Sequence, residues 1–170
     1  MKNTKIPFLL IVSILLILSI ILFFCKIHFL TVENFNDGKK LLVERINPNE
    51  HFTLKYTHSV SKTPVWEIFQ INNKGILILV ETHFLDHGAG LPYAAFDNEI
   101  FVNEDNLFKI KNMSRVIKMP LYYRIGRIRE NYFIFNGKEI DLSKTVGDSV
   151  VIININEDNI LKYLYKKYLI

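Results

Sequence analysis

Residues 52–92 read FTLKYTHSVSKTPVWEIFQINNKGILILVETHFLDHGAGLP. They hold three apolar, β-branched or aromatic runs joined by two short turn signals, the pattern of consecutive strands. Phe52, Leu54, Tyr56 and His58 share one parity, and Thr53, Lys55 and Thr57 share the other. Successive side chains of a strand point to opposite faces, so this run predicts a half-buried strand with His58 continuing its apolar face. Pro64 opens the next run, a position where its missing N–H does little harm. Val65, Glu67, Phe69 and Ile71 share a face there. Asn72-Asn73-Lys74-Gly75 signals a turn, and 76–84 is at first apolar at both parities, as in a central strand covered on both sides. The chain then leaves the sheet through Gly88-Ala89-Gly90-Leu91-Pro92.

Toward the C-terminus short strands recur at 99–102, 107–110 and 115–124, the last interrupted by Pro120 and so assigned to an edge. Residues 132–135 and 138–142 flank Asn136-Gly137, the strongest hairpin signal in the chain. A last strand is expected at 150–155 and a helix at 157–170, capped by Asn156 or Asp158. Ile160, Leu161, Leu164, Tyr165 and Tyr168 would form its apolar stripe, with Lys166 and Lys167 near its C-terminal end. Toward the N-terminus, 40–46 reads as a first strand stopped by Asn47-Pro48-Asn49. Residues 26–38 read as a spacer with a turn at Asn36-Asp37-Gly38. The count of short strands predicts one all-β domain over 39–170, a small sandwich or partly open barrel.

Ahead of that domain, 6–25 holds 20 residues without a charge. At about 1.5 Å per residue such a helix rises roughly 30 Å, the thickness of a bilayer's hydrocarbon core. A cleavable signal ends in small residues, whereas this run ends Leu22-Phe23-Phe24-Cys25. The reading is an uncleaved transmembrane anchor over 6–25 with a cytoplasmic tip at 1–5. Lys2 and Lys5 precede the span and Lys26 alone follows closely, so the positive-inside bias puts everything after Lys26 outside the cytoplasm.

The formal charge of +4 is concentrated at that flank: beyond Lys26 the chain carries 18 Lys and Arg against 17 Asp and Glu. A near-neutral outer domain gives no electrostatic case for nucleic acid. The single cysteine, Cys25, rules out an internal disulfide, so the core must hold the domain together.

Glu67 and His58 carry the first chemical reading. In an antiparallel hairpin closed by 59–63 both have core-side parity and lie diagonally, with α-carbons about 7–8 Å apart. A buried carboxylate is costly unless paired, and His58 is its natural partner. The pair either locks the hairpin end or marks a site, with an acid–base role in hydrolysis as the catalytic version. His58 and Ser59 point to opposite faces, which separates them as base and nucleophile, and no G-x-S-x-G elbow is present. His51, His58, His83 and His87 with Asp86 and Glu67 lack the spacing of a metal motif. No cofactor or metal is expected. The Gly-rich segment could offer backbone N–H groups to an anion, or simply make a tight loop requiring positive φ. Arg124, Arg127 and Arg129 with Tyr122 and Tyr123 form a small basic, aromatic patch that could face lipid headgroups or a partner's acidic surface, or belong to a solvated edge strand whose charges block edge pairing, the favoured reading.

Thr57-His58-Ser59-Val60, Lys62-Thr63-Pro64-Val65 with Glu67, and Gly88-Ala89-Gly90-Leu91-Pro92 together resemble a bacterial family known as Domain of Unknown Function 1850. The stretch from Asn136 to Leu142 is similar to its C-terminal part. The resemblance covers roughly 42–155. Its members look like small membrane-anchored or exported proteins that accompany tripartite periplasmic-type (TRAP) transporters of the TAXI class. The family carries no established activity, so the resemblance implies association with a transporter permease or solute-binding subunit and no mechanism. Together with the anchor and its flanking charges, the expectation is a bacterial cell-membrane protein, single-pass, with its C-terminal domain outside, acting by protein contact and without catalysis. The competing expectation is an independent surface module binding a small anionic ligand. In either case the candidate pocket or interface comprises His58, Ser59, Pro64, Glu67, Gly88, Ala89, Gly90, Leu91 and Pro92.

Overall fold

A computed structural model describes residues 8–86, 90–92, 94–104, 106–126 and 129–169. The organising hairpin forms as its alternation requires: β3 (His51–Thr57) pairs antiparallel with β4 (Pro64–Ile71), Phe52 opposite Phe69 and Leu54 opposite Glu67. Strand β5 (Leu77–Phe84) returns along β4 after the 72–75 turn. A bulge at Val80 resets its parity, so Leu77, Leu79, Thr82 and Phe84 all face inward. The second face of β5, expected to be covered, is half-exposed at Ile78 and Val80. Among the described residues no layer covers that face; the bulge accounts for Val80, and Ile78 is an apolar residue on the open face.

The remaining strands assemble around that hairpin. Strands β6 (Ile100–Glu104), β7 (Leu107–Lys111) and β8 (Arg115–Ile117) extend the β5 side, while β10 (Asn131–Phe135) and β11 (Lys138–Asp141) extend the β3 side. The Asn136-Gly137 turn joins β10 to β11 with φ of 48° and 73°, as a type I′ hairpin demands. The large sheet runs β11-β10-β3-β4-β5-β7-β6, with β8 beside the first half of β5. At a cis Met119–Pro120 bond the chain crosses to the second sheet, which splits the run expected at 115–124 between two sheets. That sheet has the order β2-β1-β12-β9, from β1 (Lys26–Asn34), β2 (Lys40–Arg45), β9 (Leu121–Ile125) and β12 (Ser149–Asn159). β9 is an edge strand, as its proline suggests.

The two sheets enclose one core: Leu30, Val32, Val151, Ile153 and Ile125 from the small sheet meet Phe52, Leu54, Phe69, Phe84 and Phe133 from the large one. Phe52 stacks on Phe69 and Phe133, with both ring centroids at 5.1 Å. The fold is an all-β sandwich.

Three expectations change. Residues 26–34 are not spacer: β1 pairs along its whole length with β12, and Phe29, Leu30 and Val32 are fully buried. A short helix, α2 (Leu142–Val146), follows β11, capped by the Asp141 side chain accepting from the Lys144 N–H. The last strand is longer than expected, so the terminal helix, α3 (Ile160–Tyr168), starts later and is capped by Asn159, whose side chain accepts from the Lys162 N–H at 2.9 Å.

Ahead of β1 stands α1 (Phe8–Phe24), 17 residues with none buried. Residues 1–7 lie outside the described residues. Among the described residues, no helix is long and apolar enough to cross a membrane.

Candidate functional site

The cross-strand row through Glu67 locates the site. Phe133 of β10 lies opposite Leu54, Leu54 opposite Glu67, Glu67 opposite Thr82, and Thr82 opposite Ile110. Every other member of that row is buried and faces the second sheet. Glu67 thus projects a carboxyl into the core side of the sandwich, and burial pushes its pKa up.

Its partner is Tyr56, whose hydroxyl donates to Glu67 Oε1 at 3.4 Å. That contact lowers the carboxyl's pKa, against the larger effect of burial. The Tyr56 ring lies 6.4 Å from the ring of Tyr123, which reaches in from β9 of the facing sheet. Burial, then the charge of Glu67, push both phenols well above the usual tyrosine range. They therefore stay protonated and act as donors. The Tyr123 hydroxyl donates to Asn131 Oδ1 at 3.1 Å, and Asn131 Nδ2 donates to the Arg129 carbonyl at 2.9 Å and to Ser143 Oγ at 3.1 Å. A polar seam thus crosses between the sheets, from Glu67 through two tyrosines to the first turn of α2.

His58 does not join it as expected. The strand ends at Thr57, and His58 turns back over its own loop. Its Nδ1 lies 3.0 Å from Ser61 Oγ and accepts from the Ser61 and Val60 N–H groups at 3.3 and 3.4 Å. Ser61 Oγ also lies 2.9 Å from Thr63 Oγ1. Accepting two backbone N–H groups puts the ring proton on Nε2 and makes His58 the cap of the 58–63 turn. Pro64 begins β4 opposite Thr57. Ser59 is half-buried in the turn and Val60 is 63% exposed.

Strand register brings several segments to this same end. The 58–63 turn closes β3 and β4. Phe84, the last residue of β5, lies opposite Val65, so the chain after it departs here too. Asn131, opposite Tyr56, brings Glu130 alongside, its carbonyl accepting from the Thr57 N–H at 3.0 Å. Within the Gly-rich motif Leu91 is buried in the main core, which ties the loop to the sandwich, and Gly90 has φ +90° with open space around it. Gly88, Ala89 and His87 lie outside the described residues. Tyr56, Tyr123 and Asn131 were not singled out as site residues from the sequence. Their signal is joint: a tyrosine two residues before His58 on the strand opposite Glu67, and a core-parity tyrosine in β9.

Other candidates do not converge here. His83 Nε2 contacts Glu81 Oε2 at 2.8 Å on the outer face of β5. Arg124 is bound to Asp148 at 2.6 Å, Tyr122 is exposed and Tyr123 points the other way, so the basic, aromatic stretch is no single patch; Arg127 lies outside the described residues. Among the described residues no cluster of His, Cys, Asp and Glu could hold a metal ion. An open cleft of about 810 Å³ is lined by Phe96, Asp97, Asn98, Glu99, Asn112, Ser114 and Arg115. Glu99 clamps the Arg115 guanidinium with bonds of 2.9 and 3.0 Å, which uses up the cation an anionic ligand would need.

Fold and site together define a small β-sandwich with an ionisable seam at one end and an apolar helix leading into it. Residues 52–142 match the family model described as Domain of unknown function (DUF1850), and the chain belongs to that family. No curated protein and no solved structure matches it.

Proposed function

We propose that this chain is a membrane-anchored accessory protein of a tripartite solute transporter, acting by contact with the transporter's solute-binding subunit outside the cytoplasm. The transporter association is what resemblance to the family implies. The choice of partner rests on one observation, the polarity of the domain. β12 has 11 residues, which at about 3.3 Å each extend roughly 35 Å. One end of it, at Asn159, pairs with Lys26 directly after α1. Toward the other end Val151 pairs with Tyr123 of the polar seam. The turn at 72–75 belongs to the α1 end, since a Cβ on Gly75 would sit 3.0 Å from His28 Nε2. The seam and the 58–63 turn therefore stand at the end far from α1, where a soluble subunit approaches more readily than a permease.

Support for the anchor is the character of α1. It is apolar and exposed along its length, although its 17 residues fall short of the roughly 20 usual for a span. An apolar surface of that size calls for cover, and lipid supplies it. The site end itself presents Val60 and Leu85 to solvent beside the seam. This suits a partner's apolar surface better than a small ligand.

Affinity purification of the full chain from membranes after mild crosslinking tests the reading. A solute-binding subunit should be recovered, and deleting the gene should lower uptake of that subunit's solute. If uptake of every solute carried by the cell's tripartite transporters is untouched, the accessory reading fails and an independent ligand-binding module takes its place.

A further inference from the structure

Helix α3 is amphipathic in the opposite sense to a helix packed on a core. Leu161, Leu164, Tyr165 and Tyr168 are spaced i, i+3, i+4 and i+7 and so form one stripe. That stripe faces away from the domain: the four are 45%, 39%, 55% and 71% exposed. The side turned to the small sheet carries Tyr163, Lys166 and Lys167 instead. Tyr163 packs on Phe29 with ring centroids 5.6 Å apart, and Lys166 Nζ sits 5.0 Å over the Phe29 ring. Lys167 Nζ donates to Glu44 Oε2 at 2.7 Å.

We propose that this stripe is a second membrane contact, and that α3 lies in the lipid interface beside the point where α1 enters the bilayer. Two observations name lipid as the occupant. The first is position: Lys26 pairs with Asn159, so α3 begins where α1 ends, and the two helices are neighbours. The second is charge: residues 160–169 hold Lys162, Lys166 and Lys167 and no carboxylate, and Lys162, paired with Asp158 at 3.2 Å, stays largely exposed while Lys166 and Lys167 face the small sheet. Leucine and tyrosine on one face with lysines along the polar side is the composition of helices that lie in the interface of anionic bilayers. Such a contact would fix the tilt of the sandwich on the membrane. The inference rests on the reading of α1 as an anchor.

Environment-sensitive fluorescence separates the two. In a Cys25→Ser background of the full chain, a single cysteine is introduced by Leu15→Cys in α1, Tyr165→Cys in α3 or Ser59→Cys at the far end. Each is labelled in vesicles of phosphatidylcholine and phosphatidylglycerol, with and without lipid-borne quenchers. The expected result is a blue-shifted, quenchable label at 15 and at 165, and a water-exposed one at 59. Quenching should be deeper in the bilayer at 15 than at 165. A label at 165 that stays in water while 15 is quenched overturns the inference and leaves the anchor standing. Labels in water at both positions overturn the anchor and the inference with it. A label at 165 that shifts but is not quenched by lipid puts a protein, a second copy or another chain, on this face and overturns the lipid assignment.

Discussion

At position 67 a carboxyl stands in a row whose neighbours are Leu54 and Thr82 and, among the described residues, has a single tyrosine hydroxyl for company. Burial raises its pKa, so the folded state binds the proton more tightly than the unfolded chain does. The stabilisation from that proton is fully present below the unfolded carboxyl value of about 4.3 and is lost as pH rises through the folded value. Glu67→Gln removes the ionisation and should flatten this dependence. Melting temperatures of wild type and variant should be closest in acid, with the variant gaining on wild type toward neutral pH. Parallel curves would show that the carboxyl is solvated in the folded protein. His58 makes a different prediction, because it serves the turn. His58→Ala leaves the Val60 and Ser61 N–H groups without their acceptor and should destabilise the domain by about 1–2 kcal/mol in denaturant unfolding. The sequence placed Glu67 on the core face correctly, because strand parity carries that information. It gave Glu67 the wrong partner, because parity cannot say that the strand ends at Thr57 and frees His58 to fold back. Strand parity marks Tyr123 as a core-side residue of its own strand, but not that it meets Glu67, since it arrives from the other sheet.

At the scale of elements, α3 is held to the sandwich by Glu44 of β2. Glu44 takes Lys167 of α3 on one oxygen and Lys138 of β11 on the other, and so connects the helix, the small sheet and the edge of the large one. Burial works against it, yet the two ammonium groups hold its carboxyl below the usual range. The stability this gives is present above the unfolded pKa and lost as pH falls through the folded one. Glu44→Gln should lower stability by about 1 kcal/mol near neutral pH and by less in acid, with the loss seen first as faster amide exchange in α3. Equal exchange in both proteins would mean that the Tyr163–Phe29 contact alone secures the helix. The same region accounts for the weak strand signal of β1. It follows the apolar run without a turn residue, and it is buried on both faces, by the core at Leu30 and Val32 and by α3 at Phe29. Alternation, the mark of a half-buried strand, is lost in such a strand. The hairpins β3–β4 and β10–β11, each with one face open, kept that signal.

At the scale of the molecule, the account depends on direction. The apolar helix and the start of α3 lie at one end of the sandwich; the seam of Glu67, Tyr56 and Tyr123 and the 58–63 turn lie at the other, roughly 30 Å away by strand rise. Contact with a solute-binding subunit requires the far end to be the working surface. Photo-crosslinking from two exposed positions at opposite ends, 60 and 74, compares them directly. A photo-reactive side chain is placed at one or the other in the full chain, activated in intact membranes, and the adducts are identified by mass spectrometry. The account predicts an adduct with an extracytoplasmic solute-binding subunit from position 60 and none from position 74. An adduct with that subunit from position 74 alone, or no adduct from position 60, would contradict it.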